Sequence, residues 1–330
     1  MCMSGKKRIL SGMRPTGPLH IGNLHGALAN WVEMQQEYDC FYFIADWHAL
    51  TSDYEKPGSI SGYIRGMIID WLSTGLSPDK STLFVQSHVK EHAELYLILA
   101  MITPVPWLER NPTYKDQIVQ LSNRDLSTFG FLGYPVLQAA DIIMYKAYGV
   151  PVGVDQVPHV EITREIARRF NYFYGEVFPE PESILTETPK ILGIDGRKMS
   201  KSYDNAIYLS ESSDEIAAKA AQMFTDPQRA RRNDPGNPEV CNVFEFHKLY
   251  SNKETVDKID HECRRAQIGC VECKQIMADS LIKALEPIRE KREYYLARPQ
   301  LVEDIINEGG NKARNVARQT MTEVRTALKM

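Results

Sequence analysis

The sequence contains no hydrophobic run long enough to cross a membrane. The longest run, residues 95–102, is far shorter than the roughly 20 apolar residues that a spanning helix needs. Near the N-terminus, Lys6, Lys7 and Arg8 form a short basic segment, but the apolar stretch of a signal peptide does not follow it. Low-complexity tracts and internal repeats are also absent. We therefore expect a soluble, cytoplasmic protein with no membrane partner.

A strong excess of charge is absent too, because the formal net charge is only −4 over 330 residues. A nucleic-acid partner would then have to be bound by local basic patches rather than by the field of the whole protein. Hydrophobic residues make up 43% of the chain, which is enough to build a real core. The length allows one large domain or two ordinary ones.

Cysteine is scarce, and most of it is concentrated in one stretch. Of the six cysteines, Cys2 and Cys40 lie far from the others and are interpreted as ordinary thiols. The remaining four form a C-x21-C-x6-C-x2-C pattern, at Cys241, Cys263, Cys270 and Cys273. In a reducing compartment, four soft ligands favour a metal site over four free thiols. The spacing alone does not separate tetrahedral zinc from an iron–sulfur cluster.

The first two-thirds of the chain alternates between strand-like and helix-like segments. The predicted strands are residues 8–10, 40–45, 82–86 and 150–154. The predicted helices are residues 60–73, 92–102, 136–145 and 157–170. This alternation predicts an α/β fold with a Rossmann-like, doubly wound parallel sheet, whose ligands bind beyond the carboxyl ends of the strands.

From about Asp214 onward, strand-like runs disappear and charged helical periodicity replaces them. The last helix carries an apolar stripe made of Ala313, Val316, Ala317, Met321, Val324 and Leu328. We therefore predict a Rossmann-like domain over residues 1–205 and a smaller, all-helical C-terminal domain over residues 206–330.

Residues 11–28 have the pattern of a phosphate-binding turn. A short strand passes through a turn with several glycines and prolines into a helix that begins near His20 and Asn23. The unpaired backbone N–H groups at such a helix start attract an anion, and glycine leaves room for it. Arg14 adds a fixed positive charge. The alternative is a tight strand-to-helix turn with a solvent-exposed histidine.

A second stretch, residues 196–202, places Arg197, Lys198 and Lys201 among small and hydroxyl-bearing residues. Such a loop is either solvated or folded over a polyphosphate, because its charges cannot be buried unpaired. Together, in this order and at this separation, the HIGN and KMSKS stretches resemble the HIGH and KMSKS signatures of class I aminoacyl-tRNA synthetases.

The middle of the chain contains a candidate pocket for an amino acid. Tyr134, Gln138 and Asp141 fall on one helical face, at steps of four and three residues. An inward aspartate on an apolar helix needs a hydrogen-bond donor, and an indole N–H is one that only donates. Gln156 follows a predicted strand, where it can meet an α-amino or carboxylate group. The alternative for Asp141 is a helix-capping or salt-bridging role.

Several stretches in order resemble the bacterial tryptophanyl-tRNA synthetases over nearly the whole chain: GMRPTG, HIGN, DWHALT, YPVLQAADI, PVGVDQ and KMSKS. The resemblance implies that Asp141 binds the indole nitrogen, while Tyr134, Gln138 and Gln156 surround the polar end of tryptophan. It implies ATP binding, with Mg²⁺ on the phosphates, by Arg14, Pro15, Thr16, His20, Gly22, Asn23, Gly153, Val154, Asp155, Ile191, Lys198, Met199, Ser200, Lys201 and Ser202.

The resemblance implies that the enzyme acts by aligning its substrates and stabilising charge on the phosphates, without a general base. The implied catalytic residues are His20, Asn23, Lys198 and Lys201. Two departures from the family pattern are visible. Asn23 replaces the last histidine of HIGH, and Val154 stands where family members often carry glutamate.

The resemblance extends to a subset of these enzymes that binds a [4Fe–4S] cluster through four cysteines in the anticodon-binding helical domain. It also implies a homodimer and tRNA(Trp) as a partner. Candidate tRNA contacts are Arg229, Arg231, Arg232, Arg264 and Arg265. Three alternatives stay open: a tyrosyl-tRNA synthetase, a nucleotidyltransferase acting on small molecules, and a non-catalytic RNA-binding paralogue.

Overall fold

Five parallel strands form the central sheet in the computed structural model, which describes residues 5–115, 125–186 and 191–330. They are β1 (Arg8–Met13), β2 (Asp39–Ile44), β3 (Ser81–Val85), β4 (Gly149–Val152) and β5 (Glu182–Leu185). Their order across the sheet is β3-β2-β1-β4-β5, with every neighbouring pair parallel. Strands β2 and β3 lie on one side of β1, and β4 and β5 lie on its other side. The predicted doubly wound α/β sheet is therefore confirmed.

Strands β2, β3 and β4 form where short apolar runs are buried on both faces of the sheet. In β2, Phe41 and Phe43 pack into the main core, while Tyr42 between them stacks on Trp31 at 4.5 Å between ring centroids. The four predicted strands are confirmed, with ends shifted by a few residues. The fifth, β5, was missed because it is short, lies at the sheet edge and sits among prolines.

Helices connect the strands and cover the sheet. They are α1 (Ile21–Asn23), α2 (Ala29–Met34), α3 (Asp46–Asp53), α4 (Pro57–Thr74), α5 (Glu91–Ile102), α6 (Val105–Glu109), α7 (Phe129–Leu132), α8 (Tyr134–Met144) and α9 (Val157–Tyr174). A π-helix, Leu24–Leu28, joins α1 to α2. Helix α4 ends at Gly75, whose φ of 114° is a conformation that glycine adopts readily at the end of a helix.

Beyond Leu185, the described residues form no further strand of the sheet, and helices dominate. These helices are α10 (Ser213–Gln222), α11 (Asn242–Tyr250), α12 (Lys253–Arg264), α13 (Cys270–Leu296) and α14 (Pro299–Leu328). The predicted helical C-terminal region is therefore confirmed. Among the described residues, no helix is both long enough and apolar enough to span a bilayer.

The last helix, α14, packs on strand β3 through a close glycine contact. A Cβ placed on Gly309 would lie 1.7 Å from the carbonyl oxygen of Leu83, so only glycine fits there. Further along the helix, Ala313, Ala317 and Met321 are fully buried in the main core. The predicted apolar stripe thus covers the sheet.

The chain divides into two compact units that do not follow chain order. The first unit comprises Met1–Gly17, Asn30–Thr188 and Arg298–Met330, and contains the sheet. The second comprises Pro18–Ala29 and Pro189–Ala297. The division into a catalytic domain over residues 1–205 and an anticodon-binding helical domain over residues 206–330 stays a prediction.

Candidate active site

The HIGN segment is held within the second unit by the residues that follow the KMSKS loop. The N–H of Ile21 donates to the carbonyl of Ile207 at 3.0 Å, and that of Leu209 donates to Leu19 at 2.9 Å. Asn23 accepts a hydrogen bond from the backbone N–H of His20 at 3.1 Å through its side-chain oxygen. Asn23 therefore closes the start of α1, a local role that an asparagine performs well.

The π-helix directly after this segment is unusual. Its wider turns hydrogen-bond to the fifth residue rather than the fourth, and such turns occur frequently at functional sites. The π-helix follows directly after His20, Gly22 and Asn23, the residues of this segment that the family resemblance implies as ATP ligands.

The KMSKS loop is shaped by hydrogen bonds from Asn205. Its side-chain oxygen accepts from the N–H of Ser200 at 2.8 Å, and its amide donates to Asp195 and to the carbonyl of Lys198. The N–H of Met199 donates to Ile191 at 2.9 Å. Sequence reasoning did not identify Asn205, which lies shortly after the loop. Its side chain is buried, with 1% of the residue exposed.

His20 and Lys201 lie within electrostatic reach of each other. Burial, and secondly the charge of Lys201, lower the pKa of His20 to about 4, so its imidazole is neutral at pH 7. His20 Nδ1 is buried and has no hydrogen-bond partner among the described residues. Met199 lies close as well, since a Cβ on Gly22 would be 3.7 Å from its Cβ. Residues of the two predicted signatures therefore meet in one unit.

The first unit contains a fully buried carboxylate, Asp141, on helix α8. It accepts hydrogen bonds from His92 Nδ1 at 2.6 Å, His48 Nε2 at 2.8 Å and Gln86 Nε2 at 2.8 Å to both oxygens. Burial alone would raise the pKa of Asp141, but His92 and His48 outweigh it and hold the pKa below its ordinary value. Asp141 is not a helix cap, because its partners come from α3, α5 and the end of β3.

Sequence reasoning missed these three partners, although a signal was present for His48 and Gln86. Gln86 follows directly after β3, and His48 lies in α3, which begins just beyond the end of β2; these two strands are neighbours in the sheet. Polar residues at the carboxyl ends of neighbouring parallel strands are expected to meet.

Tyr134 belongs to a second polar group in the same unit. Its hydroxyl lies 3.2 Å from His159 Nε2, and Asn111 lies 3.3 Å from His159 Nδ1. Burial raises the pKa of Tyr134 and lowers that of His159 to about 4. Gln138 and Gln156 are half-buried.

The other predicted ATP ligands of the first unit lie in turns. Arg14 Nη1 is 3.5 Å from Ser52 Oγ, and the N–H of Thr16 donates to the carbonyl of Arg14 in the turn that contains Pro15. Gly153 precedes a short 3₁₀ helix, Val154–Gln156, in which Val154 is 76% exposed. The roles predicted for these residues stay predictions.

The four cysteines lie within electrostatic reach of one another, and Arg229 lies beside two of them. Its Nη1 lies 3.8 Å from the sulfurs of both Cys263 and Cys270, so those two sulfurs lie within twice that distance of each other. Burial, and secondly the nearby thiols, raise the pKa of Cys273 to about 12. Within the part of the chain that the structure describes, however, no group of three or more His, Cys, Asp or Glu residues is arranged to hold a metal ion. The predicted metal site is therefore not confirmed.

Two of the arginines predicted to contact tRNA are engaged within the protein. Arg229 also donates to the carbonyls of Arg232 and Ile268, at 2.8 and 2.7 Å. Arg264 forms ion pairs with Asp260 and Glu239.

Comparison with known proteins identifies the family. A profile of the class I tRNA synthetases for tryptophan and tyrosine (W and Y) matches residues 3–286. This chain belongs to that family. The tryptophan–tRNA ligase of Thermotoga maritima is 55% identical over 98% of this chain and 99% of its own length. That of Aquifex aeolicus is 48% identical over 98% of this chain and 100% of its own.

A solved structure in the class I family supports the fold assignment. The tryptophanyl-tRNA synthetase from Campylobacter jejuni, complexed with ADP and tryptophan, matches with a TM-score of 0.89 and 35% identity over 98% of this chain and 100% of that chain. The sheet and helical region of this chain are thus those of a class I synthetase.

Proposed function

We propose that this chain is a tryptophan–tRNA ligase. It activates L-tryptophan with ATP to tryptophanyl-adenylate and transfers the tryptophan to tRNA(Trp), releasing pyrophosphate and AMP. The observation that carries this function is the meeting of His20 with Lys201 in one unit, in a chain 55% identical to a tryptophan–tRNA ligase over its whole length.

The activation step is proposed to run by positioning and charge stabilisation. The tryptophan carboxylate is already a nucleophile, so it attacks the α-phosphorus and pyrophosphate leaves without a general base. His20, neutral at pH 7, and Asn23 hold the phosphates at the start of α1. Lys198 and Lys201 neutralise the leaving pyrophosphate. A Mg²⁺ ion bound to ATP supplies further charge neutralisation on the phosphate oxygens.

The other proposed ATP ligands act through shape and backbone groups. In the first unit they are Arg14, Pro15, Thr16, Gly153, Val154 and Asp155. In the second unit they are Gly22, Ile191, Met199, Ser200 and Ser202. The side chain of Val154 is exposed, which suits binding of ATP through the backbone of this residue. Valine in place of the glutamate that family members often carry is therefore proposed to have little effect on ATP binding.

Asp141 is proposed to select tryptophan through the indole nitrogen. In this structure His48, His92 and Gln86 donate to the carboxylate, and Gln86 Nε2 lies 2.8 Å from both of its oxygens. The indole N–H, a group that only donates, is proposed to take one of the two acceptor positions that Gln86 shares between the oxygens. The phenol of tyrosine both donates and accepts, so it matches this site less well. Tyr134, Gln138 and Gln156 are proposed to bind the polar end of the amino acid.

Amino-acid-dependent exchange of labelled pyrophosphate into ATP tests the function. We expect exchange with tryptophan and none with tyrosine. Exchange with tyrosine alone would keep the mechanism and overturn the assignment of the pocket. Exchange with neither, in folded protein, would favour the non-catalytic paralogue. Activity with tryptophan but no charging of tRNA would favour a nucleotidyltransferase acting on small molecules.

We propose further that Cys241, Cys263, Cys270 and Cys273 bind a [4Fe–4S] cluster, with zinc as the alternative. The four thiolates would hold the cluster. The proposal is supported by Arg229, which places a positive charge beside the sulfurs of Cys263 and Cys270, and by Gly236, where a Cβ would come within 2.6 Å of the sulfur of Cys263. The cluster would supply a rigid cross-link among α11, α12 and α13.

Metal analysis of anaerobically purified protein separates these cases. Iron and acid-labile sulfide at four atoms each per chain would support the cluster, by the composition of a [4Fe–4S] centre. Zinc without sulfide would support the alternative, and neither would overturn the metal site.

The remaining partners and surroundings follow from the family resemblance. We propose a homodimer whose helical region, residues 206–330, binds the anticodon end of tRNA(Trp). Arg231, Arg232 and Arg265 remain the candidate phosphate contacts. The five described cysteines form no disulfide, which agrees with a cytoplasmic protein.

A further inference from the structure

The hydrogen bonds of Asp141 continue behind the carboxylate to a deeper pair of residues. His92 bonds to Asp141 Oδ1 through Nδ1 at 2.6 Å, and its Nε2 lies 2.7 Å from the hydroxyl of Tyr145. His92 and Tyr145 are both 0% exposed. His92 therefore joins Asp141 to Tyr145 in a line of hydrogen bonds that solvent does not reach.

The surroundings of this line are aromatic. The rings of Phe43 and Phe84 each lie 6.3 Å from that of His92, and Phe84 meets Tyr145 edge-on at 5.4 Å. In such an apolar environment hydrogen bonds are strengthened and an unpaired polar atom is costly. Rotation of the Asp141 carboxylate would break the short bond to His92 in a region that is 0% exposed. The carboxylate is thus fixed from behind as well as from its sides.

We propose that His92 and Tyr145 are positioning residues for the selection of tryptophan. Tyr145 donates its hydroxyl proton to His92 Nε2, which places the other ring proton on Nδ1. His92 then donates to Asp141 and holds the carboxylate in the orientation in which one of its oxygens accepts the indole N–H. Neither residue touches the amino acid, and both act through Asp141. This inference rests on the proposed function, specifically on the indole contact of Asp141.

The test compares tryptophan with an isostere that lacks the N–H, β-(3-benzothienyl)alanine, in pyrophosphate exchange by the full chain. The ratio of the two kcat/KM values measures how well the N–H is recognised. In Tyr145→Phe we expect this ratio to fall about ten-fold, as for the loss of one charge-assisted hydrogen bond. The fall comes from a higher KM for tryptophan, while KM for the isostere is unchanged.

Two substitutions of His92 provide a rescue test. His92→Phe removes the donor to Asp141, and we expect the ratio to fall at least as far as in Tyr145→Phe. His92→Asn keeps an amide N–H near the position of Nδ1, so we expect a ratio close to that of the unsubstituted protein. An equal fall of the ratio in His92→Phe and His92→Asn would contradict a role through the Nδ1 donor.

The matched control is Tyr42→Phe. Tyr42 is another fully buried tyrosine of the same unit, and its hydroxyl donates to the carbonyl of Trp31 at 3.2 Å. We expect this variant to lose stability without changing the ratio. If Tyr145→Phe behaves like Tyr42→Phe, or raises both KM values equally, the inference is overturned while the proposed function stands. A wild-type protein with no preference for tryptophan over the isostere would instead overturn the indole contact itself.

Discussion

His25 and Tyr250 form a 2.7 Å hydrogen bond that joins the π-helix after the HIGN segment to helix α11. Their rings meet edge-on at 5.6 Å. Burial lowers the pKa of His25 and raises that of Tyr250, so both groups are neutral at pH 7. Helix α11 also carries His247, whose Nε2 lies 3.2 Å from the carbonyl of Cys273. One helix thus connects the predicted phosphate-binding segment with the cysteine site.

We predict that Tyr250→Phe destabilises the protein by about 1 kcal/mol, because one hydrogen bond is lost and the imidazole of His25 keeps no partner there. Urea denaturation measures the change. A double-mutant cycle with His25→Phe should give a coupling energy of the same size. Additive effects of the two substitutions would show that the bond contributes nothing.

The contact between α14 and β3 gives a second prediction. We expect Gly309→Ala to destabilise the protein by roughly 3 kcal/mol or more, because its Cβ would overlap the carbonyl oxygen of Leu83 and the backbone must move. The matched control is Gly66→Ala within helix α4, where a Cβ would meet nothing within 4 Å. That substitution should stabilise by about 0.5–1 kcal/mol. Thermal unfolding of both variants measures the difference, and equal effects would rule out the close approach.

The fold was predictable because its signals are local. Buried strands such as residues 40–45 are short apolar runs that can be found in the sequence directly. The position of α14 on β3 was not predictable, since no local pattern says which surface an apolar stripe covers. The same holds for Asp141: its helical face could be predicted, whereas the identity of its three donors depends on three segments that the fold brings together.

Acid is expected to destabilise the protein through His159. Its pKa is lowered by burial to about 4 from an ordinary value of 6.5, so the unfolded chain binds more protons below pH 6.5. The stability it contributes is present above pH 6.5 and is lost as the pH falls towards 4. Between pH 7 and pH 5 this histidine should account for about 2 kcal/mol of lost unfolding free energy.

Urea denaturation at pH 7 and pH 5 measures this loss. His159→Asn should reduce the difference between the two pH values by about that amount. The exposed His261 provides the control, and His261→Asn should leave the difference unchanged. A pH dependence that persists in full in His159→Asn would assign the acid sensitivity to other groups.

Lys201→Met tests the electrostatic link in the proposed phosphate site. Removal of the charge should slow tryptophan activation about 10²–10³-fold, the usual cost of losing one preorganised charge-stabilising group. It should also raise the pKa of His20, although not to 6.5, because burial remains the larger cause of the low value. Pyrophosphate exchange measures the rate, and NMR titration of the His20 ring measures the pKa. An unchanged His20 pKa in Lys201→Met would show that the charge of Lys201 does not act on His20.

The most direct measurement of the central claim is charging of tRNA. Purified protein is supplied with ATP, Mg²⁺ and labelled tryptophan, together with a transcript of tRNA(Trp) or of tRNA(Tyr). We predict that tryptophan becomes acid-precipitable on tRNA(Trp) and not on tRNA(Tyr), with one AMP released for each tryptophan transferred. Charging of tyrosine onto tRNA(Tyr), or tryptophan activation without any transfer to tRNA(Trp), would contradict the assignment.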